Sequence, residues 1–187
     1  KTEKSLFDLA EKGSFNSNII KFDEAMKQTI DMASAAYKNE GGIVGVPTGL
    51  RDLDYKLGGL HQSDLIIIAG RPSMGKTSLA TNIAFNAAKN LQDNGKESSI
   101  AFFSLEMSSE QLSTRIISEQ ARISSNDIRQ GRITDEQFDK FLETSKNIAD
   151  LPLFIDETPA ISIAAMSNRA RRIKRRSGLD MIVVDYI

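Results

Sequence analysis

Between Phe22 and Tyr37 the apolar residues Phe22, Met26, Ile30, Ala33 and Tyr37 recur every three or four positions, the spacing that lines up one face of a helix. Asp23 and Glu24 fall in the first turn, where the helix dipole favours carboxylates. Gly41, Gly42, Gly45 and Pro47 then break the pattern. A lone amphipathic helix must bury its stripe, either on its own domain or on a neighbouring subunit, and the pattern alone leaves both open.

Beyond this point the pattern changes. Asp64–Ala69 (DLIIIA) is a short apolar run rich in β-branched residues and predicts a buried parallel strand. Lys76 to Leu91 reads as a helix, and Ser99 to Leu105 (SIAFFSL) as a second buried strand. Ser108 with Gln111, and Thr134 with Gln137, have the spacing of a capping box. They predict helices from Ser108 to Gln120 and from Thr134 to near Ala149. Leu153 to Ile155 reads as a third strand, Ser162 to about Arg176 as a strongly basic helix, and Met181 to Val184 (MIVV) as a fourth strand running into Asp185. Strands alternating with helices imply right-handed crossovers and a parallel sheet covered on both faces, an α/β fold. The chain thus divides into residues 1–42, an N-terminal region ending in one helix, and residues 43–187, an α/β domain.

Composition narrows the picture. A length of 187 residues suits one domain with a short extension. Hydrophobic content of 40% and charged content of 26% are those of a globular protein. No apolar run is long enough to span a bilayer, and the first ten residues lack a signal-peptide pattern. The absence of cysteine excludes disulfides and thiolate metal sites and fits the cytoplasm, the expected compartment. With a net charge of −1, contact with nucleic acid must come from a local patch or from the centre of an assembly.

The chemistry lies in Gly70-Arg71-Pro72-Ser73-Met74-Gly75-Lys76-Thr77, a full match to G-x-x-x-x-G-K-[ST]. Gly70 and Gly75 let the backbone turn tightly around a phosphate. The N–H groups of the loop and of the next helix, from Ser73 through Ser78, point at the phosphates. Lys76 supplies positive charge to the β- and γ-oxygens, and the Thr77 hydroxyl completes the coordination of Mg²⁺. The expected ligands are therefore a nucleoside triphosphate and Mg²⁺. The remaining parts belong at the ends of neighbouring strands, where ligands gather in open α/β sheets. Asp185, after MIVV, suits the acid that holds the Mg²⁺ shell. Glu106, after FFSL, is placed either to orient the attacking water or simply to begin a loop.

Other features carry less. Arg169, Arg171, Arg172, Lys174, Arg175 and Arg176 on the basic helix read as a solvated face, a subunit contact or a nucleic-acid contact. The patch has no interleaved aromatics for stacking bases. His61 is the only histidine, which speaks against a zinc site. Met74, Met107 and Met166 form no stripe and read as packing.

The stretches Pro47 to Ala80, Phe102 to Arg115 (FFSLEMSSEQLSTR) and Ala170 to Tyr186 (ARRIKRRSGLDMIVVDY) resemble the DnaB family of bacterial replicative DNA helicases. The resemblance covers essentially the whole chain, over the family's linker and the first half of its RecA-like motor domain. A P-loop spelled RPSMGKT followed by SLEMS is far more restrictive than a P-loop alone. It implies a RecA-like P-loop NTPase core preceded by a linker helix. It also implies a homo-hexameric ring that encircles single-stranded DNA at the replication fork and hydrolyses ATP between subunits. By the same resemblance Glu106 is the catalytic base, Lys76 the P-loop lysine, Thr77 the magnesium hydroxyl and Asp185 the Walker B aspartate. Arg115 lies near the nucleotide, and the helix from Phe22 to Tyr37 docks on the adjacent subunit. No membrane contact is implied.

In the family the polar sensor after Walker B, the DNA-binding loops and the arginine finger follow the point where this sequence ends, and primase and the helicase loader bind regions outside it. Lys1 to Lys12 corresponds to the last helix of the family's N-terminal domain. The chain is therefore expected to be a piece of the motor, truncated after the Walker B strand. Since an arginine finger contributes several orders of magnitude in rate, the piece alone should bind ATP weakly and hydrolyse it poorly. Two other outputs stay open: a related RecA-like ATPase serving recombination, regulation or timing, and an assembly or binding module without turnover. Strand displacement by the full-length parent separates the first from a helicase, and poisoning of an intact hexamer tests the second.

Overall fold

The computed structural model describes residues 20–38 and 43–186. The expectations placed on Lys1 to Lys12 and on Gly41–Gly42 lie outside the described residues. The chain divides into two units, Lys1–Gly42 and Ile43–Ile187.

The first unit contains helix α1, Phe22–Lys38, with Asp23 and Glu24 in its first turn. Along its expected apolar stripe Phe22, Met26, Ile30 and Tyr37 are all exposed.

The second unit opens with an antiparallel bridge between Val46 and Leu60 that encloses α2, Arg51–Leu57. Asp54 organises this turn from within. Its buried carboxylate accepts the Thr48 N–H at 2.8 Å, the Thr48 hydroxyl at 2.7 Å and the Gly49 N–H at 3.0 Å. The following elements are α3 (Lys76–Asp93), β1 (Ile100–Ser104), α4 (Ser109–Ala121), α5 (Ser125–Gln130), α6 (Asp135–Asn147), β2 (Leu153–Asp156), α7 (Ile163–Ser177) and β3 (Met181–Asp185).

The three strands form one parallel sheet in the order β2-β1-β3. Ile100 pairs with Leu153 on one side and Met181 on the other, and Ser104 faces Asp185. Every residue of the central strand β1 is buried. Alternation sends Ile100 and Phe102 to one face, against Ala84, Ala87, Ala88 and Leu91 of α3 and Leu112 of α4. Ala101 and Phe103 face the other way, onto Ala170 of α7. The small residues of α3 let its backbone lie close to the sheet, and the phenylalanines of β1 supply the bulk. No helix among the described residues is long and apolar enough to cross a membrane.

Both expected capping boxes are present: Ser108 with Gln111 at α4, and Thr134 with Gln137 at α6. The expected strand at Asp64–Ala69 is not formed. This segment has no regular structure, and Leu65, Ile66, Ile67 and Ile68 are exposed. An apolar β-branched run gives a chain the side chains of a strand, but a strand exists only where a neighbour completes its hydrogen-bond ladder. The sheet ends at β3, with no described segment on its outer side. The short helices α2 and α5 were not anticipated, because neither is long enough to show a period.

Candidate nucleotide-binding site

The Gly-rich loop leads directly into α3, and two of its residues take left-handed conformations: Ser73 at φ 63° and Gly75 at φ 86°. Nothing lies within 4 Å of where a Cβ on Gly75 would sit. Glycine is therefore favoured here by its backbone angle and not by crowding. Lys76 is the first helical residue, and its Nζ donates to the carbonyls of Gly70 at 2.9 Å and Arg71 at 3.2 Å. The ammonium thus lies across the loop's own backbone.

The N-terminus of α3 differs from those of the helices that follow. Ser108, Ser124, Thr134 and Ser162 cap α4, α5, α6 and α7 with their hydroxyls. Gly75 offers α3 no such acceptor, and its first turn has no acidic residue. The free N–H groups and positive dipole end, with Lys76 beside them, fit an anionic group. Thr77 and Ser78 continue this turn. The Thr77 carbonyl is bonded by the buried Thr81 hydroxyl at 2.7 Å.

The parallel sheet sets the ends of β1 and β3 on one edge. The Leu105 N–H donates to the Asp185 carbonyl at 2.7 Å, so Glu106 follows a residue bonded directly to Asp185. The Asp185 side chain is buried, and its Oδ2 has no hydrogen-bond partner among the described residues. A buried carboxylate oxygen without a protein donor calls for a cation or water. This donor set fits a hard divalent ion held through oxygen.

Glu106 is exposed, in the bend between β1 and α4. The Ser104 hydroxyl fixes that bend by accepting from the Met107 N–H at 3.1 Å and donating to the Met107 carbonyl at 2.7 Å. Arg115, two turns into α4, donates from Nη1 to the Ser78 hydroxyl at 3.0 Å. The structure thus links Arg115 to the first turn of α3, next to Thr77.

Two acids escaped the sequence reading. Asp156 ends β2, and the next residue, Glu157, accepts the Ser109 N–H at the start of α4. The signal was available, since both follow the apolar run LFI just as Glu106 and Asp185 follow theirs. Asp156 is partly buried, which raises its pKa. The Arg169 guanidinium, at 2.8 and 2.5 Å, and the Thr158 hydroxyl and N–H outweigh burial and hold the carboxyl below its usual range. Glu157 is also held low, by the Ser109 N–H. Arg169 is therefore paired, unlike a solvated face, while Arg171, Arg172, Lys174, Arg175 and Arg176 are exposed. His61 is exposed, with its Nε2 3.2 Å from the Leu57 carbonyl.

The family model of the DnaB-like helicase C-terminal domain matches residues 45–187. The chain belongs to this family. Relatives named replicative DNA helicase DnaB include that of Rickettsia conorii, 45% identical over 99% of this chain and 38% of the relative. The replicative DNA helicase DnaC of Bacillus subtilis is 35% identical over 99% of this chain and 39% of its own length. The chain thus spans about two-fifths of the curated relatives it matches. Among solved structures, one described as an ATPase domain superposes with a TM-score of 0.79 at 27% identity, covering 89% of this chain and 57% of that one. A DnaB-like replicative helicase, described together with its interactions with primase, gives a TM-score of 0.74 at 25% identity, covering 98% and 43%. The fold of this DnaB-like chain is that of the RecA-like helicase ATPase domains.

Proposed function

We propose that the chain is the nucleotide-binding part of a replicative DNA helicase motor, taking ATP with Mg²⁺ and using its hydrolysis to drive separation of duplex DNA. The observation that carries this reading is the buried, donorless Oδ2 of Asp185, on the sheet edge that also bears Glu106. Beyond it, the uncapped N-terminus of α3 supports phosphate binding.

The roles follow from position. The loop Gly70–Thr77 surrounds the phosphates with N–H groups, and Lys76 exchanges its carbonyl partners for the β- and γ-oxygens. Thr77 and Asp185 would hold the metal, which would neutralise the phosphate charge. Glu106, exposed at the end of β1, orients and deprotonates the attacking water. Arg115 reaches the nucleotide from α4 through its place at Ser78. The exposed stripe of α1 supports docking on an adjacent subunit of a homo-hexamer around single-stranded DNA.

The test uses the full-length gene product. Magnesium-dependent ATP binding should disappear in Lys76→Ala. Hydrolysis should disappear in Glu106→Gln with binding retained, and strand displacement should stop in both. Normal hydrolysis in Glu106→Gln with normal nucleotide binding would remove the assignment of the base.

A further inference from the structure

The bend that carries Glu106 is restrained on both sides by neighbouring strands. Towards β3, the Leu105 N–H binds the Asp185 carbonyl. Towards β2, the Ser109 N–H binds the Glu157 carboxylate, 48 residues away in sequence. The first restraint is backbone to backbone and survives any side-chain change. The second depends on one carboxylate. The local restraints, the Ser104 hydroxyl on Met107 and the Ser108–Gln111 capping box, shape the bend but do not tie it to β2. The Ser109 N–H lies outside that box, whose hydroxyl serves Gln111.

We propose that Glu157 is a positioning residue for Glu106, locking the β1–α4 bend to β2 so that the water-orienting carboxylate is held in place. This rests on the reading of Glu106 given above. The geometry supports it at each step. Phe103 pairs with Asp156 across the sheet, which sets Glu157 beside the end of β1. The flanking residues are gripped from α7, where Arg169 donates to Asp156 and to the Thr158 hydroxyl at 2.6 Å. The Thr158 N–H also binds Asp156 at 3.1 Å. The backbone of Glu157 is thereby clamped from both sides, and its side chain reaches α4 from a fixed base. An ionised carboxylate at a helix N-terminus is favoured by the dipole, in line with the lowered pKa of Glu157.

The test measures ATP hydrolysis by the full-length gene product with saturating single-stranded DNA. Glu157→Ala should lower kcat about tenfold, the scale of one lost charge-assisted hydrogen bond, with KM for Mg-ATP unchanged. Glu157→Gln keeps an acceptor oxygen and should restore most of that loss. Ser109→Pro removes the donor instead. Proline is well tolerated at the first position of a helix, and Ser108, at φ −69° and ψ 159°, already has the extended backbone required before proline. This second variant should reproduce the kcat loss of Glu157→Ala, and combining the two should add nothing.

Unchanged kcat in both Glu157→Ala and Ser109→Pro overturns the proposal. So does a fall in kcat that Glu157→Gln shares in full alongside a lowered Tm. Lys76→Ala and Glu106→Gln serve as controls. If they abolish hydrolysis while the Glu157 and Ser109 variants do not, the positioning role alone fails. If they leave it intact, the nucleotide reading fails and takes the proposal with it.

Discussion

Replacing Asp185 by Asn should stabilise the metal-free chain and remove most of its response to Mg-ATP. The wild-type carboxylate is 5% exposed and its Oδ2 has no partner among the described residues. Leaving a buried polar atom unsatisfied costs about 1–3 kcal/mol, and more when it is charged. Asn removes the charge at nearly constant volume, so the metal-free variant should gain about 1–2 kcal/mol, with Tm rising roughly 2–4 °C per kcal/mol in a domain of this size. With nucleotide the order reverses. Ligand at a hundred times its Kd stabilises a native protein by about 2.7 kcal/mol, and on the proposed reading the variant has lost a metal-holding oxygen. Thermal and urea unfolding, with and without Mg²⁺ and a non-hydrolysable ATP analogue, would measure both halves. An Asn variant that melts below wild type without metal would refute the claim that the carboxylate is unsatisfied. An equal nucleotide shift in both proteins would refute its role at the metal.

Asp54→Ala should destabilise the second unit by about 3 kcal/mol in urea unfolding, because it strands the buried Thr48 donors and the Gly49 N–H. Asp180 is pushed up by burial but pulled lower still by the Ser98 hydroxyl and the Lys96 ammonium, so its folded pKa lies below the ordinary 3.8. Its stabilisation is therefore complete above that value and is lost as pH falls through the lower folded pKa. Lys96→Ala should accordingly lower stability at neutral pH, where this pairing is complete, and change it little at a pH below the folded pKa, as acid and urea unfolding would show. Ile67→Lys should reduce light scattering by the isolated 187-residue chain, since the segment Leu65–Ile68 is apolar, β-branched and exposed. Met26→Glu with Ile30→Glu should leave the melting of the second unit unchanged but lower the mass measured by sedimentation for the full-length product, if α1 docks between subunits.

How far the sequence could be read depends on how local each cause is. The capping boxes at Ser108 and Thr134 were legible because cap and partner lie three residues apart. The start of α3 at Lys76 was legible because the Gly-rich window that breaks the chain lies immediately before it. The period of α1 and the burial of IAFFS were legible for similar reasons. The strand at Asp64–Ala69 was misread because pairing is a tertiary condition, and side-chain pattern cannot supply a neighbour. The bonds from Glu157 to α4 and from Arg169 to Asp156 were missed because they join residues from different elements. Even so, the rule that picked out Glu106 and Asp185, an acid closing an apolar strand, applies equally to Asp156 and Glu157.

The unformed strand also bears on how the phosphate loop is held. In an α/β sheet a strand would be expected to aim the loop that follows it, yet here the residues leading into Gly70 are exposed and without regular structure. The support described for the loop lies instead on its helical side. Ala84, Ala87, Ala88 and Leu91 seat α3 on the sheet. Thr81 bonds the Thr77 carbonyl, and Asn86 donates to the Thr48 carbonyl at 3.0 Å, tying α3 to the turn organised by Asp54. Arg115 holds Ser78 from α4, the same helix whose start Glu157 grips. Lys76, Thr77 and Ser78 are thus anchored through α3 and α4, whereas Gly70 through Met74 are anchored mainly by the bonds from Lys76. The P-loop lysine therefore has a structural part as well as a charge to offer. If, as proposed, phosphate oxygens draw Lys76 away from the Gly70 and Arg71 carbonyls, the first half of the loop would take its shape from the ligand.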